Sequence, residues 1–245
     1  MTDTLIPASE LAEKRGPGLP GESQAYAEAR KGILREEIEV RRRLTALAEM
    51  RQQLPDGPIV TKNYQFKDAS GKTLGLADLF GDHDTLVTYF QMYGPDRKRP
   101  CPMCTNALGG FNGNARDIEQ RAAFKILARS SVERQKAFAL ERGWHDLDFI
   151  QTVGDDYALD HRVLDPATGA ESPAYIVFRK DADHNVRYFY AAEMPAEAAD
   201  PGQDPRGAVD FAPLWNILDT TPEGRGEDWW SAPHFDRTVG IADKA

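Results

Sequence analysis

Both cysteines of this 245-residue chain fall in one run, Pro100-Cys101-Pro102-Met103-Cys104. Two thiols at that spacing can close a disulfide across one helical turn, provided the first sits at the exposed N-terminus of a helix and the second lies one turn inside. A helix N-terminus presents unpaired N–H groups and a partial positive charge, which favour thiolate over thiol and lower the first cysteine's pKa. Cys101 is therefore the expected nucleophile. Pro102 suits the first helical turn, where its missing N–H costs nothing and its fixed φ is already helical. Just upstream, Arg97, Lys98 and Arg99 add positive charge that favours the same thiolate, while Asp96 opposes it.

Other uses of the pair are open at this level. A structural zinc site takes four protein ligands, so the two cysteines would need two more from five scattered histidines or the many carboxylates. Covalent haem attachment needs a histidine directly after the second cysteine, and Thr105 in that place excludes it. The plainest alternative is two small apolar side chains buried close together by chance. A paired-thiol motif near a βαβ pattern favours the redox reading.

The totals narrow the class. Hydrophobic content of 41% with 28% charged residues is ordinary globular composition. A net charge of -9 argues against a nucleic-acid partner, because such proteins carry basic stripes that replace counterions on phosphates. Met1 to Lys14 lacks a basic segment followed by an apolar run, and no window approaches the roughly 18 apolar residues of a membrane span. The expectation is a cytoplasmic protein with no membrane contact. In a reducing compartment a disulfide between two such close cysteines is more often catalytic and transient than structural.

The elements that must position the thiols follow from pattern. Arg15 to Gly21 is too rich in Gly and Pro for regular structure, and residues 1–21 read as a flexible lead-in. From Glu22 to Leu54 apolar residues recur at mostly helical spacing among charged ones, giving one long amphipathic helix ended by Pro55-Asp56-Gly57-Pro58. That helix either docks on its own domain or serves a partner. Tyr64-Gln65-Phe66 alternates like a strand, and Leu74 to Phe80 suits a short helix. Thr85 to Phe90, apolar and β-branched, reads as a central strand that delivers the chain to Cys101 at the carboxyl edge of a sheet. The helix opened by Cys101 meets Gly109, Gly110 and Gly113 and is expected to be short or kinked, with Asn114 to Gln120 continuing it. Phe124 to Ala128 gives a second strand. Ser130 with Glu133 forms a capping box for a helix that runs to Gly143. Phe149 to Val153 is a short strand, and Gly154 to Gly169 is loop or short helix. Ser172-Pro173 introduces the strand Ala174 to Phe178, and Val186 to Tyr190 pairs back as a hairpin. Pro173 is positioned to be cis and to pack against the disulfide, with an ordinary trans proline as the alternative. Phe211 to Leu218 makes a closing helix, and the tail beyond carries Trp229 and Trp230 as packing anchors.

This order is similar to the thioredoxin fold. More specifically, Tyr93-Gly94-Pro95-Asp96, Cys101-Pro102-Met103-Cys104-Thr105, Asp117-Ile118-Glu119-Gln120-Arg121, Val132-Glu133-Arg134, Glu141-Arg142-Gly143-Trp144, Val153-Gly154-Asp155-Asp156-Tyr157 and the run from Trp215 to Gly226 resemble the bacterial domain-of-unknown-function family number 899. Members of that family are described as predicted dithiol-disulfide oxidoreductases. The resemblance implies an α/β, thioredoxin-like three-layer sandwich with a central mixed sheet, plus a long N-terminal helix and an irregular C-terminal tail. It divides the chain into a lead-in (1–21), the helix (22–58), a thioredoxin-like domain (59–221) and a tail packed on that domain (222–245). It makes Cys101 the nucleophile, Cys104 the resolving thiol and Pro173 the residue in the cis-proline position, with Pro102, Met103, Arg99 and Ser172 as substrate contacts. Where thioredoxin has Gly-Pro between its cysteines this chain has Pro102-Met103, and Arg99-Pro100 replaces the preceding aromatic. The expected partners are a protein or small-molecule disulfide and a cellular reductant, with no cofactor, no metal and no nucleic acid, and with a homodimer as an option. A binding module with idle thiols, a thiol peroxidase and a metallochaperone of the same fold are the alternatives.

Overall fold

The structure, a computed structural model, describes residues 5–192. The chain divides into two units, Met1–Pro55 and Asp56–Ala245. The expected closing helix from Phe211 to Leu218 and the tail with Trp229 and Trp230 lie outside the described residues.

The first unit is helical. Its long helix spans Gln24–Gln52, as the apolar periodicity predicts, and Ser23 caps it by accepting a hydrogen bond from the Tyr26 N–H at 3.3 Å. The lead-in is not irregular throughout: Ala8–Glu13 forms a short helix, α1, ahead of the long helix α2. Its sequence lacks proline and glycine: Pro7 stands at its N-cap, and the next breakers come after it, from Gly16 to Gly21. Between the two helices Glu22 accepts from the Leu19 N–H at 2.8 Å and pairs with Arg15 at 3.3 Å and Arg30 at 3.2 Å. These contacts hold its carboxyl below the usual range against the opposing effect of burial.

The second unit is built on a seven-stranded sheet. A small hairpin comes first, β1 (Gln65–Lys67) with β2 (Thr73–Gly75), and a 3-10 helix, Leu76–Phe80, takes most of the stretch that reads as a short helix. Strand β3 (Thr85–Phe90) follows, then helix α3 (Pro102–Ile118), β4 (Ala123–Ala128), α4 (Val132–Glu141), β5 (Phe149–Val153) and the short α5 (Asp156–Asp160). The closing hairpin is β6 (Ala174–Lys180) with β7 (Val186–Ala191). The spatial order is β2-β1-β5-β4-β3-β6-β7. Strand β3 lies between a parallel neighbour, β4, and an antiparallel one, β6, so the sheet is mixed.

Strand alternation divides the core between two faces. Leu86 and Phe90 of β3 join Phe66, Leu79, Leu127, Ile150, Tyr157 and Phe178 on the face covered by the 3-10 helix and α5. Tyr89 joins Leu108, Phe111, Phe124, Phe138 and Trp144 on the face covered by α3 and α4. With both faces covered, β3 is apolar nearly throughout. Its one inward polar group on the first face, Thr88, is 1% exposed and donates its hydroxyl to the Ile176 carbonyl at 3.0 Å.

Two local expectations are corrected. Helix α3 runs unbroken through Gly109, Gly110 and Gly113. Each glycine costs the helix about 0.5–1 kcal/mol, but Cys104, Leu108, Phe111 and Ala115 bury one continuous face. Burial of Leu108 and Phe111 alone contributes about 2–3 kcal/mol apiece, which outweighs the glycines. Helix α4 is capped by Ser131, whose hydroxyl accepts from the Arg134 N–H, rather than by Ser130 in a box with Glu133. Ser130 is drawn inward because its N–H bonds the Tyr93 carbonyl at 2.9 Å.

On the first face the ring of His161 stacks on Tyr157 with centroids 4.0 Å apart, and its nitrogens meet the Tyr157 carbonyl at 2.7 Å and the Tyr188 hydroxyl at 2.9 Å. Burial holds its pKa below the ordinary histidine value, with Asp160 opposing and Lys62 adding to the depression. The folded protein thus takes up this proton less readily than the unfolded chain, and stability is lost as pH falls from about 6.5 through the lower folded value. Urea midpoints at about pH 7.5 and about pH 5.5 should show a larger drop for wild type than for His161→Gln. Equal drops would remove His161 as the cause.

Candidate active site

The site begins where β3 ends. The chain must turn from the sheet edge to a helix start, and buried amides fix that turn. Gln91, 2% exposed, donates its N–H to the Leu127 carbonyl at 2.9 Å and its side-chain amide to Gln135 at 3.1 Å. Gln135, 1% exposed, donates in turn to the carbonyls of Ser130 at 2.9 Å and Ile150 at 3.3 Å. The segments leaving β3 and β4 are thereby tied together, with the side-chain amides of both glutamines hydrogen-bonded as burial demands.

A buried carboxylate grips the next stretch. Glu171, whose side chain is 4% exposed, accepts from the Gly94 N–H at 2.9 Å and pairs with Arg97 at 3.3 Å and Arg129 at 3.4 Å. A Cβ on residue 94 would stand 2.5 Å from the Glu171 Oε1, so a side chain there would have to push the carboxylate out of its ion pairs. Arg134 adds a second clamp, donating to the Pro95 carbonyl at 2.9 Å and to the Arg97 carbonyl, with its guanidinium 4.9 Å from the centre of the Tyr93 ring.

The thiols sit at the end of this braced loop. Cys101 is the N-cap of α3 and Pro102 its first residue. The Cys101 N–H donates to the Met92 carbonyl at 3.1 Å, and the Thr105 hydroxyl and N–H both reach the Cys101 carbonyl at 2.9 Å. Both cysteines are free thiols, Cys101 partly exposed and Cys104 buried at 1%. Their environments push them apart. A hydrogen bond from Cys104 pulls the Cys101 pKa down to about 6, with the N–H groups of Cys104 and Met103 and the charge of Arg97 assisting against the opposing effect of burial. Cys104 is pushed well above its ordinary value by the bond it gives to Cys101, by burial and by the Cys101 charge. Two groups work the other way on Cys104, the Tyr89 hydroxyl and the Met92 N–H, which favour its charged form.

The remaining predicted residues are distributed around that pair. Pro102 is exposed and Met103 half-buried in the first turn of α3. Ser172, exposed, donates its N–H to the Val163 carbonyl, and Pro173 precedes β6. Since Ala174 pairs with Phe90, Pro173 lies at the same sheet edge that sends the chain toward Cys101. No peptide bond among the described residues is cis, so Ser172–Pro173 is trans. Arg99 is engaged elsewhere, paired with Glu141 at 2.5 Å and set 5.5 Å from the centre of the Phe138 ring. Of the three upstream cations, Arg97 is the one whose charge bears on the Cys101 pKa. Among the described residues no three His, Cys, Asp or Glu come together as a metal set, and no helix is long and apolar enough to cross a membrane.

Sequence reasoning missed Tyr89, Glu171, Arg129, Gln91 and Gln135. Tyr89 carried a signal, since a tyrosine inside an otherwise apolar strand needs a partner for its hydroxyl. The others gain meaning only from pairings between residues about forty to eighty positions apart.

A mixed sheet with helices on both faces and a paired thiol at a helix N-terminus on its carboxyl edge make a thioredoxin-like fold. The chain belongs to the family described as bacterial protein of unknown function (DUF899), whose sequence model matches residues 19–237. No curated protein matches it. Among solved structures, peroxidoxin BcpB from Mycobacterium tuberculosis is 20% identical over 55% of this chain and 83% of its own, with a TM-score of 0.40. Reduced Prx3 from Vibrio vulnificus, in complex with H2O2, is 10% identical over 60% and 89%, with a TM-score of 0.43. The exposed lipoprotein thioredoxin Etrx1 from Streptococcus pneumoniae is 13% identical over 56% and 94%, with a TM-score of 0.38. At these scores none of the three bears on the chemistry of this chain.

The Glu171 clamp makes a specific demand on stability. Glu171→Gln keeps the shape but removes the charge that Arg97 and Arg129 share, and should cost about 2 kcal/mol, below the full penalty for a buried pair because Arg97 is 38% exposed. Urea denaturation of the variant reads this directly. A change within about 0.5 kcal/mol would mean that the clamp contributes nothing measurable.

Proposed function

We propose that this protein is a dithiol-disulfide oxidoreductase in which Cys101 is the nucleophile and Cys104 the resolving thiol. The observation that carries the reading is the asymmetry of the two sulfurs: Cys101 partly exposed with a pKa lowered to about 6, Cys104 buried with its pKa raised. At neutral pH a thiol with that pKa is roughly nine-tenths thiolate, the form that attacks disulfides. Idle thiols in a binding module have no need of such a split.

The cycle balances with two sulfurs on each side. The Cys101 thiolate attacks one sulfur of a substrate disulfide, forming a mixed disulfide and expelling the other sulfur as a thiolate. The Cys104 thiolate then attacks the Cys101 sulfur, forming the internal disulfide and releasing the second substrate thiolate. The substrate disulfide gains two electrons, the dithiol loses them, and a cellular reductant restores it. Both electrons reside in sulfur bonds throughout, so the cycle calls on no further cofactor. The exposed Pro102 and Ser172, with Met103 and Pro173, are the surface we assign to the arriving disulfide, and Arg99 the charge at its margin.

Three measurements test this. The alkylation rate of Cys101 should rise with pH to a plateau with a midpoint near 6. Cys101→Ser should abolish reduction of a model disulfide, and Cys104→Ser should accumulate a mixed disulfide with it. A midpoint near the unperturbed value of about 8.5, or equal turnover by wild type and both variants, would overturn the proposal.

A further inference from the structure

Helix α2 carries a row of apolar side chains that stand in solvent. Tyr26, Ile33, Val40 and Leu47 recur every seven residues, and Leu54 continues the series just past the last turn. Ile33 is 59% exposed, Val40 53% and Leu47 39%, and Leu44 and Met50 widen the row at 60% and 66%. Single exposed apolar residues are ordinary on a protein surface, but a row at one fixed spacing is not. The other side of the helix is already used: Ile38, two residues from Val40 and so nearly half a turn away, is buried beside Leu11 of α1. A spacing of seven keeps a row turned toward one partner helix as two helices coil around each other. From Tyr26 to Leu54 the row runs for four heptads, long enough to specify such a pair.

The charges beside the row identify the partner. The middle of the helix reads Glu36-Glu37-Ile38-Glu39-Val40-Arg41-Arg42-Arg43, an acidic run and a basic run with Val40 between them. Glu39 and Arg42 pair with each other at 2.9 Å, whereas Glu36 and Arg43 have no ion pair among the described residues. Those two are themselves seven apart, so they lie on the same flank of the row. Parallel pairing of two copies would set Glu36 against Glu36 and Arg43 against Arg43. Antiparallel pairing about a two-fold axis beside Val40 keeps that flank together and sets each Glu36 near the Arg43 of the other copy, twice over. Because the apolar series is centred on Val40, the same axis carries it onto itself, bringing Ile33 to the second copy's Leu47.

We infer that α2 is a dimerisation helix, whose exposed row pairs antiparallel with α2 of a second copy of this chain around Val40. The interface is isologous, so one patch serves both copies. Burial of the row drives the association, and the Glu36–Arg43 pairs select the antiparallel arrangement over the parallel one.

Sedimentation equilibrium of the full chain reads the association, and thiol turnover plays no part in it. At about 100 μM the wild type should approach twice the 27.3 kDa chain mass. A wild type that stays monomeric, its row then covered within the chain or reserved for a different protein, overturns the inference. Val40→Glu places a better helix former at an exposed position, so circular dichroism should show unchanged helicity while the dissociation constant rises about a hundredfold. A dimer that survives Val40→Glu uses another surface, which also overturns the inference. Glu36→Arg should weaken the dimer about tenfold, and adding Arg43→Glu should restore it to within about threefold of wild type. Association unchanged by the single reversal, or weakened further by the second, overturns the antiparallel pairing. Should Val40→Glu lose helicity, the charge reversal and its rescue decide alone, since neither substitution touches the row.

Discussion

The lowered pKa of the Cys101 thiol is the constraint on which the arrangement of the loop before it and the helix after it depends. A thiolate at a partly buried position needs donors that are fixed beforehand, because mobile ones would lose entropy each time they closed on it. The first turn of α3 supplies N–H groups whose positions are set by the helix itself, and Cys104 supplies a third donor from one turn further on. All three depend on where the helix starts. That start is held by the Met92 carbonyl on one side of Cys101 and by Thr105 on the other, so the loop before the thiol and the helix after it meet at one residue.

The loop in turn depends on groups remote in sequence. Glu171 comes from the approach to β6, Gln135 from α4 and Arg129 from the end of β4. Glu171 and Gln135 reach into the connection between β3 and α3, and Arg129 holds the Glu171 carboxylate there; the connection would otherwise be an eleven-residue excursion of prolines, glycine and charges with little apolar surface to bury. Buried hydrogen bonds to charged groups replace hydrophobic packing here, and they tolerate little substitution because a lost partner leaves the other unsatisfied. Gly94 is the clearest instance, since the carboxylate occupies the space that any side chain would need.

How far the sequence alone carries this picture follows from the range of the forces involved. Strands β3, β5, β6 and β7 and the long helix α2 are legible because their patterns are local and several residues deep. The thiol pair is legible for the same reason. The unbroken course of α3 through three glycines is not, because propensity sees the glycines and cannot see that Leu108 and Phe111 enter a shared core. The cap of α4 shifts by one residue because Ser130 is claimed by a carbonyl nearly forty positions earlier. The charge cluster Arg97-Lys98-Arg99 looks uniform in sequence, yet its members part company in space: one pairs with Glu171 near the thiols and another turns to Glu141 on α4.

In the cycle we propose, the division of labour between the thiols accounts for the burial of one of them. If both were exposed at the helix start, each could attack a substrate and a second substrate molecule could compete with the internal resolution step. Placing Cys104 one turn inside the helix, on the face that packs against Tyr89 and Leu108, removes it from outside reactants and leaves the Cys101 sulfur as its accessible target. Burial raises the pKa of that thiol and so suppresses unwanted chemistry while Cys101 is free. The raised value rests partly on the Cys101 charge, which disappears once the mixed disulfide forms. In the cycle we propose, Cys104 is therefore restrained until the moment its attack is useful, and the switch is the loss of one neighbouring charge.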